Sequence, residues 1–195
     1  MDGMSIIMQG IRQMMEELFD GVTDNEGIYR SFADHLGVTD AGAVVEVLLE
    51  GGVNEEVSYP IIHFFITHAS NVPKGIEKEL GHSLNVLNNI ISIGEFPSFG
   101  CFCYYPAMDQ IYLSYRLPVH PEAPERELDN IRYYLGVLYE ELDALIDYIM
   151  YLCDNKGMSP DPDSYVEYLK NISDWDDIAE RAKMLSVIFD DMKEQ

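Results

Sequence analysis

Residues 125–153 read ERELDNIRYYLGVLYEELDALIDYIMYLC. Apolar side chains recur at Leu128, Ile131, Leu135, Leu138, Leu142, Leu145, Ile149 and Leu152, in alternating steps of three and four. Only an α-helix gathers such a series on one stripe. Gly136 is its one helix-weakening residue. Glu125, Glu127 and Asp129 stand in the first turns, where the helix dipole favours anions. Asp154-Asn155-Lys156-Gly157 is a stop signal. A second stripe of Tyr133, Val137, Ala144, Tyr148 and Tyr151 flanks the first. A helix this broadly apolar needs a large surface to lie on, and the residues before it predict a β-sheet.

Working outward, Phe99–Tyr105 and Gln110–Val119 alternate about the turn Pro106-Ala107-Met108-Asp109 and predict a hairpin. Tyr59–His68 is a strong strand, with Ile62, Phe64 and Ile66 on one face and Ile61, His63, Phe65 and Thr67 on the other. Apolar residues on both faces predict a central strand covered twice, or an exposed adhesive face. Ala43–Glu50 alternates with one wetter face. Gly27–Leu36 is the weakest strand, and a short helix fits it nearly as well. Between the strands, Gly75–Ser92 has helical spacing through Ile76, Leu80, Leu84, Leu87 and Ile91. At the start, Ser5–Phe19 reads as an amphipathic helix capped by Ser5 and ended by Asp20-Gly21. After the long helix, Met158–Asp163 is a linker to a short helix carrying Tyr165 and Leu169. A last stripe runs through Trp175, Ile178, Ala182, Leu185, Phe189 and Met192. The expected class is α+β, an antiparallel sheet with helices packed on it. The expected order is α-β-β-β-α-β-β-α. Residues 1–157 form the domain and residues 158–195 a C-terminal helical extension.

The 35 acidic and 12 basic residues give a net charge of −23. Such a charge argues against nucleic acid, whose phosphates need a basic face, and against anionic lipid. It fits a protein whose partners are basic or apolar proteins. Cys101, Cys103 and Cys153 are odd in number and unlike a disulfide scaffold, so free thiols in a reducing compartment are expected. With no basic apolar leader and no membrane-length apolar run, the expected location is cytoplasmic.

Chemistry-bearing groups are present without a known motif. Cys101 and Cys103 share a strand face, but zinc needs four ligands and no histidine pair completes the set. No metal or cofactor is expected. Glu140, Glu141, Asp143 and Asp147 on the long helix read as a solvated face rather than an acid–base pair. Ser83 and Ser114 have no base at a meaningful sequence spacing. No P-loop, dinucleotide fingerprint or nucleophile elbow occurs. Tyrosines crowd the hairpin and the long helix. Packing accounts for most of them, and the rest predict a partner surface.

The region Leu84-Asn85-Val86-Leu87-Asn88-Asn89 leads through Phe96 into Cys101-Phe102-Cys103-Tyr104 and Ile111–Leu117, then into the long helix. That order, over residues 5–155, resembles the type III secretion chaperone fold shared by the YbjN family (Tir chaperone-like). The resemblance implies a non-enzymatic, often dimeric domain that holds a segment of another protein. Strand parity puts Phe64, Ile66, Phe102, Tyr104 and Tyr112 forward as partner-binding residues, with strand addition at a sheet edge as a further mode. The other readings are an enzyme using Cys101, Cys103 and the histidines, or a purely structural subunit. A homodimer is expected, tightening as salt screens its charge.

Overall fold

The computed structural model describes residues 2–38, 40–50, 60–93 and 100–172. Within them lie α1 (Gly3–Leu18), β1 (Asp20–Asn25), β2 (Ile28–Leu36), β3 (Ala41–Glu50), β4 (Ile61–Ser70), α2 (Glu77–Ile93), β5 (Cys101–Tyr105), β6 (Gln110–Pro118), α3 (Pro124–Asp154) and α4 (Pro162–Ile172). The strands form one antiparallel sheet in the order β1-β2-β3-β4-β6-β5. The fold is α+β with helices packed on a sheet, as the hydrophobic periods require.

One strand was not legible in the sequence. Asp20-Gly21 does not simply end α1; it opens β1. Asn25 pairs with Ile28, and Glu26 and Gly27 between them both have positive φ, 54° and 87°. That is the geometry of a two-residue hairpin turn whose twist matches the flanking strands. The side chain of Asp24 accepts a bond from the Gly27 amide at 3.2 Å. This hairpin draws residues 28–36 into β2 and removes the helical alternative. At the other end of α1 the cap is Asp2, not Ser5: the Asp2 carboxylate accepts the Ser5 amide at 2.8 Å.

α3 carries its stripe as expected. Ile131, Leu135, Leu138, Leu142, Leu145, Ile149 and Leu152 are all buried, and Leu128 packs at the core's margin. Pro124 begins the helix, where its missing N–H costs nothing. At the C-terminus the Gly157 amide reaches back to the Leu152 carbonyl at 2.7 Å with φ of 77°. This left-handed closure is the reason a glycine stands there. The second stripe is less uniform than its sequence implies, because Tyr133 is 61% exposed.

Of the four acidic residues read as a solvated face of α3, only Glu140 is exposed. Glu141 and Asp147 are buried. The carboxylate of Asp143 accepts the Gly37 amide at 2.8 Å, and that of Asp147 accepts the Val38 amide at 2.9 Å. These carboxylates, one helical turn apart, pin the β2–β3 loop to the helix. Gly37 has φ of 67°, and a Cβ there would lie 2.4 Å from an Asp147 oxygen, so both conformation and space demand glycine.

α4 belongs to the same core. Tyr165 and Leu169 are fully buried, and Tyr165 meets Tyr148 and Tyr151 edge-on at 5.9 and 5.6 Å. The division expected at residue 157 therefore runs through a packed contact. The stripe from Trp175 to Met192 lies outside the described residues, as do Phe96 and the first residues of the expected Tyr59 and Phe99 strands.

The outer edge of β5 is closed by a side chain. The Asn88 amide on α2 donates to the Phe102 carbonyl and accepts the Phe102 amide, both at 2.8 Å. It stands in for a neighbouring strand. Asn88→Ala leaves both Phe102 groups without these partners. It is expected to cost about 1–3 kcal/mol, measured by urea melts, with faster hydrogen exchange at the Phe102 amide. An unchanged melt and unchanged exchange would show that the clamp contributes nothing.

Candidate functional site

The sheet has two unlike faces. Tyr29, Ala33, Val45, Val47, Ile62, Phe64, Ile66, Ile111, Leu113 and Phe102 point into the core beneath α3 and its neighbouring helices. The other face is not covered by any described helix. Its rows follow from the strand register. One row is Phe32, Val44, Thr67, Tyr112 and Cys103; the next is Arg30, Glu46, Phe65, Ser114 and Cys101; a third is Ile28, Leu48, His63 and Arg116. Glu50 and Ile61 follow at the end.

This assignment relocates the residues put forward from parity. Phe64, Ile66 and Phe102 are core residues with at most 2% exposure, so they offer no surface to a partner in this fold. Tyr104 sits on the core side and its hydroxyl lies 3.5 Å from Asp109. Tyr112 alone lies on the open face, stacked on Phe65 with centroids 4.2 Å apart. The apolar members of that face are Phe65, Val44 and Leu48, with Ile28 and Phe32 substantially exposed.

Two features give the open face structure. At one end is a cleft of about 580 Å³, lined by Arg30, Phe32, Val44, Glu46, Thr67 and Met108, among others. Phe32 is 51% and Met108 59% exposed there. A second groove of about 610 Å³ lies elsewhere, on α2, between Lys78, His82, Val86 and Met158. Its one buried hydroxyl, Ser83, is already committed to the Gly157 carbonyl at 2.7 Å.

At the opposite end of the open face a hydrogen-bonded chain crosses three strands diagonally. Glu50 Oε1 lies 2.8 Å from His63 Nδ1, and His63 Nε2 lies 2.8 Å from Ser114 Oγ. Arg116 Nε donates to Glu50 Oε2 at 3.1 Å. Diagonal neighbours on adjacent antiparallel strands are close enough for long side chains to meet. Burial lowers the His63 pKa, reinforced by the Arg116 charge and opposed by Glu50. The Arg116 guanidinium holds the Glu50 carboxyl below its ordinary value. The state at neutral pH is thus an ionised Glu50 accepting Nδ1–H of a neutral imidazole, which leaves Nε2 to accept the serine proton. Sequence reasoning missed this chain because its members are 13 and 51 residues apart. Only the register brings them together.

The cysteines do not join it. Cys101 is in register with Ser114 and Cys103 with Tyr112, on the outermost strand. Burial pushes the Cys101 thiol up, and the neighbouring Cys103 adds to the effect, so the nucleophilic thiolate is disfavoured. His35 pairs with Asp40 at the surface, and His68 packs edge-on against Phe102 in the core. Among the described residues no three His, Cys, Asp or Glu side chains gather as a metal site. No described helix is long and apolar enough to cross a membrane. No family model, curated protein or solved structure matches this chain.

Proposed function

We propose that this chain is a cytoplasmic protein-binding domain of chaperone-like character, which holds an apolar segment with basic flanks from a partner protein against the open sheet face. The observation that carries the reading is the cleft lined by Phe32 and Met108, on the same sheet face as the Phe65–Tyr112 stack. A face with exposed aromatic anchors and a polar margin is what protein partners bury. Charge supports the partner's chemistry. On a chain of net charge −23, the open face carries balanced pairs, Arg30 with Glu46 and Arg116 with Glu50. An apolar segment therefore meets little unpaired charge there, while Asp24, Glu26 and Asp34 at the β1–β2 side favour basic flanks. The Asn88 clamp on β5 argues for the face rather than that edge as the docking mode. The chaperone-like character follows the resemblance to the YbjN and secretion-chaperone fold drawn from the sequence; the observed order adds one strand, β1, to the order that resemblance implies.

A synthetic peptide of alternating leucine and valine with lysines at both ends tests the reading. It is expected to bind and to shift backbone amide resonances on β2, β3, β4 and β6. Phe32→Glu is expected to weaken binding by about tenfold or more, the loss of roughly 1.4 kcal/mol. The same peptide with glutamates at its ends should bind less. No binding, or shifts confined to the α2 groove, would overturn the proposal. A second copy of the chain is the competing occupant. Sedimentation would reveal it as a homodimer that tightens with salt and is lost in Phe32→Glu, an outcome that would assign the face to self-association instead.

A further inference from the structure

We propose that Ser114 is an acylable nucleophile, with His63 as its general base and Glu50 as the positioning residue, acting on small esters that carry an apolar acyl group. The proposal goes beyond partner binding and does not rest on it. A serine, an imidazole and a carboxylate in series at 2.8 Å and 2.8 Å are the spacing by which a hydroxyl is activated. Orientation agrees with the spacing. Glu50 fixes the His63 tautomer, and Arg116 holds Glu50 from its far side. Ser114 is half-buried on the face that no described helix covers, and His63, diagonal to it on the same face, is buried.

The neighbours define the substrate. Phe65 is in register with Ser114, and Tyr112 precedes it by two residues on the same strand face. Their stack is an apolar bed for an acyl group. Arg116 follows Ser114 by two residues on the same strand face, with its guanidinium bonded to Glu50. Ser114 Oγ attacks the ester carbonyl carbon, and its proton passes to His63 Nε2. The carbonyl carbon–oxygen bond to the alcohol breaks, and the departing oxygen takes that proton. Water then attacks the Ser114 ester, gives a proton to His63, and releases the acid as Oγ regains it. The net reaction is ester plus water to acid plus alcohol.

The backbone around Ser114 is paired on both sides, with β4 and with β5, so it presents no spare pair of N–H donors to an oxyanion. A missing oxyanion donor costs roughly 10²–10³ in rate. Both acylation and deacylation are accordingly slow, and the acyl-serine accumulates only from an activated ester such as a p-nitrophenyl ester, whose leaving group makes acylation the faster step.

A fluorophosphonate reporter on the full-length chain tests this, with peptide mass mapping of the adduct. The expected result is one adduct per chain, at Ser114, with release of fluoride. Ser114→Ala should lose it entirely. His63→Gln should slow labelling by about 100-fold. Glu50→Gln should slow it too, with Glu50→Asp restoring part of the rate, a rescue that loss of folding would not produce. p-Nitrophenyl acetate should release a burst of one equivalent of nitrophenolate from the wild type and none from Ser114→Ala. The site mapping needs only the wild-type chain, so an unfolded variant cannot obscure it. No adduct on the folded chain, an adduct at another residue, or an unchanged rate in a folded His63→Gln chain overturns the proposal.

Discussion

Phe64→Ala is expected to destabilise the domain by about 3–5 kcal/mol. Phe64 is fully buried at the middle of β4, the strand that lies between β3 and β6. Its neighbours in register are Val47 and Tyr115, and its ring stacks on Tyr115 with centroids 6.4 Å apart. Truncation removes the ring's transfer energy and leaves a cavity. The walls of that cavity are strands held in ladders on both sides, with a long helix above, so they cannot close it. Domains are stable by roughly 5–15 kcal/mol in total, and the variant would lose a large share of that. Phe65→Ala is the control. Its ring lies on the open face against Tyr112, and its removal is expected to cost about 0.5–1.5 kcal/mol. Urea melts at constant m-value separate the two. If Phe65→Ala proved the costlier change, the sheet would be facing the other way.

Acid should weaken the fold through His68, by about 3 kcal/mol between pH 7 and pH 4. This imidazole is 3% exposed, packed edge-on against Phe102 at 4.9 Å. Its Nδ1 faces the Ile66 carbonyl at 3.3 Å, and its Nε2 has no hydrogen-bond partner among the described residues. Burial lowers its pKa from 6.5 to about 4. A lowered histidine pKa means that the unfolded chain binds the proton first. Nothing is lost above about pH 6.5, where both states are neutral. As pH falls from there toward 4, the unfolded state is progressively favoured. Below 4 the folded state protonates as well and the loss levels off. His63 has the same sign, because its pKa is also lowered by burial. Carboxylates titrate over part of this range, so the comparison is between wild type and His68→Leu, melted at pH 7 and pH 4. The difference in stability between the two should shift by about 3 kcal/mol in favour of the leucine chain. A constant difference across pH would show that burial does not lower the His68 pKa in the folded state.

These outcomes bear on what a pattern can and cannot decide. Periodicity located α2, α3, the β5–β6 hairpin and the central strand β4, because each carries its own repeat. It also located the end of α3, since the Gly157 turn is local chemistry. The β1–β2 hairpin escaped because β1 has polar and small residues, DGVTDN, whose strand state depends on pairing with β2. The acidic residues of α3 looked like a solvated face because composition says nothing of which loop comes to rest on them. Two of them hold the Gly37–Val38 amides.

By itself, the sequence determined the α+β class, the long helix with its apolar stripe and the existence of two apolar sets on β4. Those are consequences of the 3.6- and 2-residue periods of side-chain direction. The tertiary structure alone decided which set faces inward. Both sets are apolar, so parity could not choose, and Phe64, Ile66 and Phe102 went into the core while Phe65 and Tyr112 stayed outside. It alone brought Glu50, His63 and Ser114 into one hydrogen-bonded chain. That depends on the pairing register of three strands, and a slip of a single residue would send each side chain to the opposite face.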